Sequence, residues 1–134
     1  MSDGRLRLRV ITPTRVVVEA DADAVTFPGA LGELGILPGH TALLTTMRIG
    51  QLAYRAGGRE HVLAVQNGFA EVAADVVTVL ADVAELPSEI DLVAARSDKE
   101  AAEAALKTAG GKELDHQLAR LETADTRIAV ASRR

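Results

Sequence analysis

The segment GELGILPGH, Gly32 to His40, carries an acid, Glu33, and an imidazole, His40, at the margins of a short apolar run. An acid and an imidazole held close can pass a proton between them. Nothing in the pattern supplies a third group to orient either one, so polar margins of a turn-rich loop are the simpler reading. His40, His61 and His116 fall on a predicted loop, strand and helix, with no HExxH pair, and no metal site is expected. No GxSxG elbow marks a serine nucleophile. AGGKE, Ala109 to Glu113, has a Gly-Lys pair but lacks the first glycine and the hydroxyl of a phosphate loop. The chain has no cysteine, which removes thiolate chemistry and disulfides together. What remains in GELGILPGH is a contact surface. Leu34, Ile36 and Leu37 cannot all be solvated comfortably, and Pro38-Gly39 makes a turn by pre-setting one φ and freeing the next.

The elements that must position this segment divide near Leu86-Pro87. Before that point the apolar period is two. In RLRLRV, Leu6, Leu8 and Val10 alternate with Arg5, Arg7 and Arg9, the pattern of a half-buried strand with a solvated basic face. Further strands read as TRVVVEA, DAVTFPG, IGQLAYRAGG, REHVLAVQNG, FAEVAAD and VVTVLADVAEL, with hairpin turns at Gly57-Gly58 and Asn67-Gly68. Short strands without intervening helices predict a two-sheet β-sandwich over residues 1–87.

Residues 88–134 predict an antiparallel two-helix hairpin. Ser88 with Asp91, or Ser97 with Glu100, suits the first helix start, and Gly110-Gly111 suits its end. In the second helix Leu114, Leu118, Leu121 and Ile128 form a seam that Asp125 interrupts. This half carries nine acids and eight bases and is built from strong helix formers. The first helix offers mainly alanine methyls to any contact, each burying little area. Such a hairpin undocks cheaply while each helix keeps much of its own order.

Composition closes off other classes. The 134 residues have a formal charge of -4, 2% aromatics and no Trp, so neither a basic footprint nor a stacking platform for nucleic acid is present. No apolar run reaches membrane-spanning length, and MSDGRLRLRV reads as strand and not as a targeting peptide. The expectation is an intracellular chain that meets a membrane only through a partner.

FPGALGELGILPGHTALLTTMRIGQL, followed by QNGFAEV and VVTVLAD, closely resembles the epsilon subunit of the F-type ATP synthase. In that family the pattern is GELGI-x-PGH-x-PLLT, then a glycine-bearing GFxEV strand, then VTVLAD. The resemblance spans essentially the whole chain, and Ala42 stands where the family often has proline. It implies a non-catalytic rotor subunit whose sandwich binds subunit gamma and rests on the ring of c subunits. Glu33, Gly35, Ile36, Pro38 and His40 would form the c-ring contact, passing rotation driven by protons or sodium to the catalytic head. The hairpin would lie on the sandwich or extend along gamma into the alpha/beta hexamer and obstruct ATP hydrolysis, with Arg120 and Arg127 meeting acidic segments there. The subunit would sit on the cytoplasmic side of a bacterial membrane. Some relatives bind ATP through [IL]DxxRA. Here Ile90 and Asp91 are followed by Ala94 in place of the arginine, and Arg96 lies on another helical face, so ATP is not expected as a cofactor. The competing readings are a free-standing sandwich-and-hairpin adaptor and an enzyme using Glu33 and His40.

Overall fold

The computed structural model describes residues 4–133. Eight strands come first: β1 Leu6–Ile11, β2 Val16–Ala22, β3 Ala24–Gly29, β4 Gly32–Ile36, β5 Leu43–Thr46, β6 Gly50–Ala56, β7 Arg59–Ala73 and β8 Val76–Glu85. A 3-10 turn over Pro87–Glu89 then leads into α1, Leu92–Leu106, and α2, Gly111–Ala131. The strands form one hydrogen-bonded ladder in the order β2-β1-β8-β7-β6-β3-β4, with β5 also on β7. Among the described strands only β1 against β8 is parallel. The ladder folds over a single core in which Leu8, Val18, Phe27, Ile36, Leu52, Val65 and Val79 come from seven different strands.

The fold turns on β7. Its amino-terminal half pairs with β6, Gly50 opposite Val65, while its carboxy-terminal half pairs along the same edge with β5, Thr46 opposite Phe69. Between the halves Asn67 and Gly68 take φ of +55° and +108°. Asn67-Gly68 is therefore not the predicted hairpin turn. It is a kink inside one long strand, and REHVLAVQNG and FAEVAAD are continuous. The β8 register is the same on both sides of it, from Ala73 opposite Val76 to Ala64 opposite Glu85. Met47 N–H donates to the Gly68 carbonyl at 2.8 Å and bridges the break between β5 and β6. Left-handed backbone is what Asn-Gly supplies, and a strand kink uses it as readily as a turn.

Other departures have equally local causes. GELGI is a strand, β4, and not part of a loop; it pairs with β3, Ile36 opposite Val25 and Glu33 opposite Pro28. Its two glycines conceal a period of two in Leu34 and Ile36. LLTT, also unpredicted, is too short to register as a run. The first helix is capped by neither serine: the Asp91 carboxylate accepts the Ala94 N–H at 3.0 Å, and Ser88 lies in the 3-10 turn. Gly110 and Gly111 open α2, since α1 has already ended at Leu106.

The α2 seam is also displaced from its predicted line. Gln117, Ala124, Val130 and Ala131 are buried, whereas Leu114 and Leu118 are exposed. Ala95 and Ala102 of α1 bring the helix backbones close, and side chains as large as leucine are left at the flanks. Asp125 lies outside the contact and pairs with Lys99 at 2.9 Å.

A Cβ placed on Gly68 would lie 1.9 Å from the Leu80 carbonyl oxygen. Gly68→Ala is expected to destabilise the chain by more than about 3 kcal/mol, measured as a loss of denaturation midpoint. Gly35→Ala, whose Cβ would meet only the Thr26 methyl at 3.9 Å, should change little.

Candidate functional site: contact surfaces and the docked hairpin

The structure distributes GELGILPGH over two places. Glu33 is exposed on β4, on the wall of a cleft of about 690 Å³ shared with Arg48, Gln51, Glu122 and Thr126 of α2, and Arg133 just beyond that helix. His40 lies in the loop between β4 and β5. Among the described residues no hydrogen bond or ion pair joining the two is found. His40 Nδ1 donates to the Thr41 carbonyl at 2.7 Å, leaving Nε2 as the nitrogen that can accept. Gly35 is exposed and Pro38 half-buried. Ile36 is 1% exposed and belongs to the core, so it holds β4 in place and is not itself a contact residue. Leu31, at the tip of the β3–β4 hairpin, is fully exposed, and Leu37 is 63% exposed.

A second surface was not anticipated from sequence. Across the outward face of β2, β1, β8 and β7 the ladder lines up Val16, Ile11, Leu80 and Phe69. Val16, Leu80 and Phe69 are each about half exposed, at 50%, 49% and 53%. A hollow of about 320 Å³ opens there between Pro13, Ile11, Phe69 and Leu80. The next row of the same face is polar: Glu19, Arg9, Thr78 and Glu71. Arg7 bridges Glu19 and Asp21, at 3.2 Å each, so these arginines belong to a cross-strand charge lattice. A contiguous apolar row rimmed by charge marks a protein-contact face. The signal was available in the outward parity of Phe69 and Leu80, but adjacency of four strands needs the topology.

The hairpin docks through a separate, smaller cluster: Val62 and Ala64 of β7, Ile90, and Val130 and Ala131 of α2, with Ala53 and Leu92 at its edge. Arg127 straddles Glu85 with two hydrogen bonds of 2.9 and 3.1 Å, both side chains about four-fifths buried. Arg133 pairs with Glu60, and Arg120 reaches Asp98 of α1 at 3.1 Å. Both arginines singled out in the sequence are thus engaged within the chain. Of the three residues at the expected nucleotide motif, Ile90 is buried in the docking cluster, Asp91 caps α1, and Arg96 is exposed. Among the described residues no three His, Asp or Glu side chains converge as a metal site. His61 stacks on Tyr54, ring centroids 4.8 Å apart, and His116 lines a hollow beside Asn67.

The hinge has its own lock. Glu89 Oε1 accepts from Arg15 Nη2 at 2.7 Å and from the Leu86 N–H at 2.9 Å, tying the β1–β2 turn to the start of the hairpin. The Arg15 bond, then the Leu86 amide, holds the Glu89 carboxyl below its ordinary range. A carboxyl lowered on folding lends stability that is present above its unfolded range and is lost as pH falls through the folded value. The hinge is therefore expected to loosen as pH falls below the ordinary glutamate range toward the lowered folded value, seen as falling amide protection at Leu86–Ile90, with Glu89→Gln flat over that range.

A strand body with an apolar outward row, an exposed loop end and a helical hairpin docked through a small cluster has the features of a protein-contact module. Residues 5–87 match the family model described as the beta-sandwich domain of the ATP synthase delta/epsilon chain. The chain is 43% identical over 131 residues to ATP synthase epsilon chain 2 of Syntrophotalea carbinolica, covering 96% of this chain and 95% of that one. It is 42% identical over 130 residues to the ATP synthase epsilon chain of Halalkalibacterium halodurans, covering 96% and 98%. A chain in the structure of the Euglena gracilis mitochondrial ATP synthase shares the fold, with a TM-score of 0.82 at 22% identity, over 94% of this chain and 81% of that one. The chain belongs to the family of ATP synthase epsilon chains. Among the described residues no helix is long and apolar enough to cross a membrane.

Gln117 is 6% exposed; its amide donates to Glu113 at 2.7 Å, while its Oε1 is buried without a partner. Replacing it by leucine removes an unmet acceptor from the α1–α2 contact, and Gln117→Leu is expected to stabilise the hairpin by about 1 kcal/mol, read as slower amide exchange along α1.

Proposed function

We propose that this chain is the non-catalytic central-stalk subunit of an F-type ATP synthase, coupling rotation of the c-ring to the catalytic head. The observation that carries the reading is the outward row Val16, Ile11, Leu80 and Phe69, an apolar strip on a rigid sheet suited to gripping the gamma shaft. The Leu31 tip with Glu33, and the loop bearing Pro38 and His40, meet the polar loops of the c-ring. Gly35, exposed on β4, lets a partner approach that strand closely. The subunit is held on the cytoplasmic side of a bacterial membrane through the complex.

The docked hairpin is the uninhibited pose. Its seat consists mostly of alanine and valine side chains, so the gain from docking is modest. When the hairpin extends along gamma into the alpha/beta hexamer, Arg127 and Arg120 exchange Glu85 and Asp98 for acidic segments of the catalytic subunits. An equilibrium of a few kcal/mol between the poses is within reach of gamma contacts or nucleotide on the catalytic subunits. ATP is not a ligand of the chain itself: Ala94 replaces the motif arginine and the Asp91 carboxylate is already bonded to the helix start.

Removing residues from Ser88 onward is expected to raise ATP hydrolysis by the isolated catalytic complex while assembly with gamma is retained. Unchanged hydrolysis would show that the hairpin does not inhibit. An ATP titration of the full-length chain is expected to give no tight, saturable binding.

A further inference from the structure

The Pro38–Gly39 turn is pinned from outside its own loop. Gly39, at φ +88°, donates its N–H to Asp75 Oδ1 at 2.7 Å, across 36 positions of sequence. Asp75 belongs to the two-residue turn between β7 and β8, where Ala74 and Asp75 take φ of +50° and +62° between the paired residues Ala73 and Val76. That is the hairpin turn with two left-handed residues, which aspartate tolerates well. The carbonyl of Asp75 accepts the Arg7 N–H of β1 at 2.8 Å. Its backbone is therefore held by two strands, and its side chain projects from a fixed point.

Aspartate in a turn ordinarily bonds its own neighbouring backbone. Here one carboxylate oxygen reaches across to the apex of the β4–β5 loop. The loop's internal ties are short-range: His40 N–H returns to the Leu37 carbonyl at 3.1 Å, and His40 Nδ1 reaches Thr41. Neither anchors the loop to the sandwich. A carboxylate accepting a backbone N–H is among the stronger hydrogen bonds available.

We infer that Asp75 is the positioning residue of the Leu37–His40 contact loop, fixing His40 and the Pro38–Gly39 apex against the rigid β7–β8 turn before any partner binds. The inference rests on the proposed contact role of that loop. Holding the loop in one geometry removes ordering cost from the binding step, so its loss appears as weakened association and not only as reduced stability.

The test uses two variants that both keep the left-handed turn. Asp75→Gly suits the backbone and deletes the carboxylate; Asp75→Asn suits it and retains an oxygen acceptor. In the full-length chain, Gly39 amide exchange is expected to accelerate about tenfold or more in Asp75→Gly and to stay near wild type in Asp75→Asn. Affinity for a purified gamma–c-ring assembly should fall about tenfold in Asp75→Gly and recover in Asp75→Asn. Unchanged Gly39 exchange in Asp75→Gly, or unchanged affinity where the wild-type chain binds, would overturn the assignment of Asp75 alone. A wild-type chain that does not bind the assembly would sink the stalk reading and this inference with it.

Discussion

Everything in this molecule passes through the left-handed backbone at Asn67 and Gly68. Two ladders with different partners have to share β7, and the strand must change direction without losing its register on β8. A side chain at Gly68 would collide with the Leu80 backbone, so the two strands touch at the very place where the apolar outward row crosses them. The kink also separates two duties of one strand. Before it, Val62 to Val65 are buried on both faces, Leu63 and Val65 in the sandwich core and Val62 and Ala64 beneath the hairpin. After it, the strand buries one face only and Phe69 looks outward. The seat for the hairpin and the exposed apolar face are thus two halves of a single element.

The hairpin is held by a small apolar seat and a few ion pairs. Its apolar seat is small, and Gln117 carries an unmet acceptor into the contact between the helices. Against these stand the two hydrogen bonds between Arg127 and Glu85, shielded enough to matter more than the exposed pairs Arg120–Asp98 and Arg133–Glu60. Exposed pairs of that kind contribute little in salt solution. A clamp made of charge has one property that an apolar seat lacks: the same arginines find equivalent partners on any acidic surface. Docking by ion pairs and small residues therefore makes the seat of the hairpin a shallow one.

Much of this was legible from residue order. The alternation in RLRLRV, the Gly57-Gly58 hairpin and the change of composition after Leu86 led directly to strands and then helices. What failed were inferences in which one local signal has two uses. Asn-Gly means left-handed backbone, and only the partners of β7 decide between turn and kink. GELGI looks like loop because glycine is read as flexibility, yet its pairing with β3 makes it strand. The leucines of α2 look like a seam until the alanines of α1 bring the backbones too close to admit them. The contact face was invisible for another reason. Val16, Ile11, Leu80 and Phe69 are unremarkable singly and become a surface only once β1 lies parallel beside β8.

That parallel pairing also links the contact face to the hinge. The β1–β2 turn flanks the apolar row through Ile11 and Pro13 and, through Arg15, holds Glu89 at the root of the hairpin. The row and the root of the hairpin are thus joined through one short segment, from Ile11 to Arg15. The arm's seat and its pivot therefore answer to different contacts. Val62 and Ala64 lie beneath α2, whereas Glu89 answers to the β1–β2 turn. The Arg15–Glu89 pair is exposed, so the shielded Arg127–Glu85 pair and the small apolar seat carry most of the hairpin's attachment to the strand body.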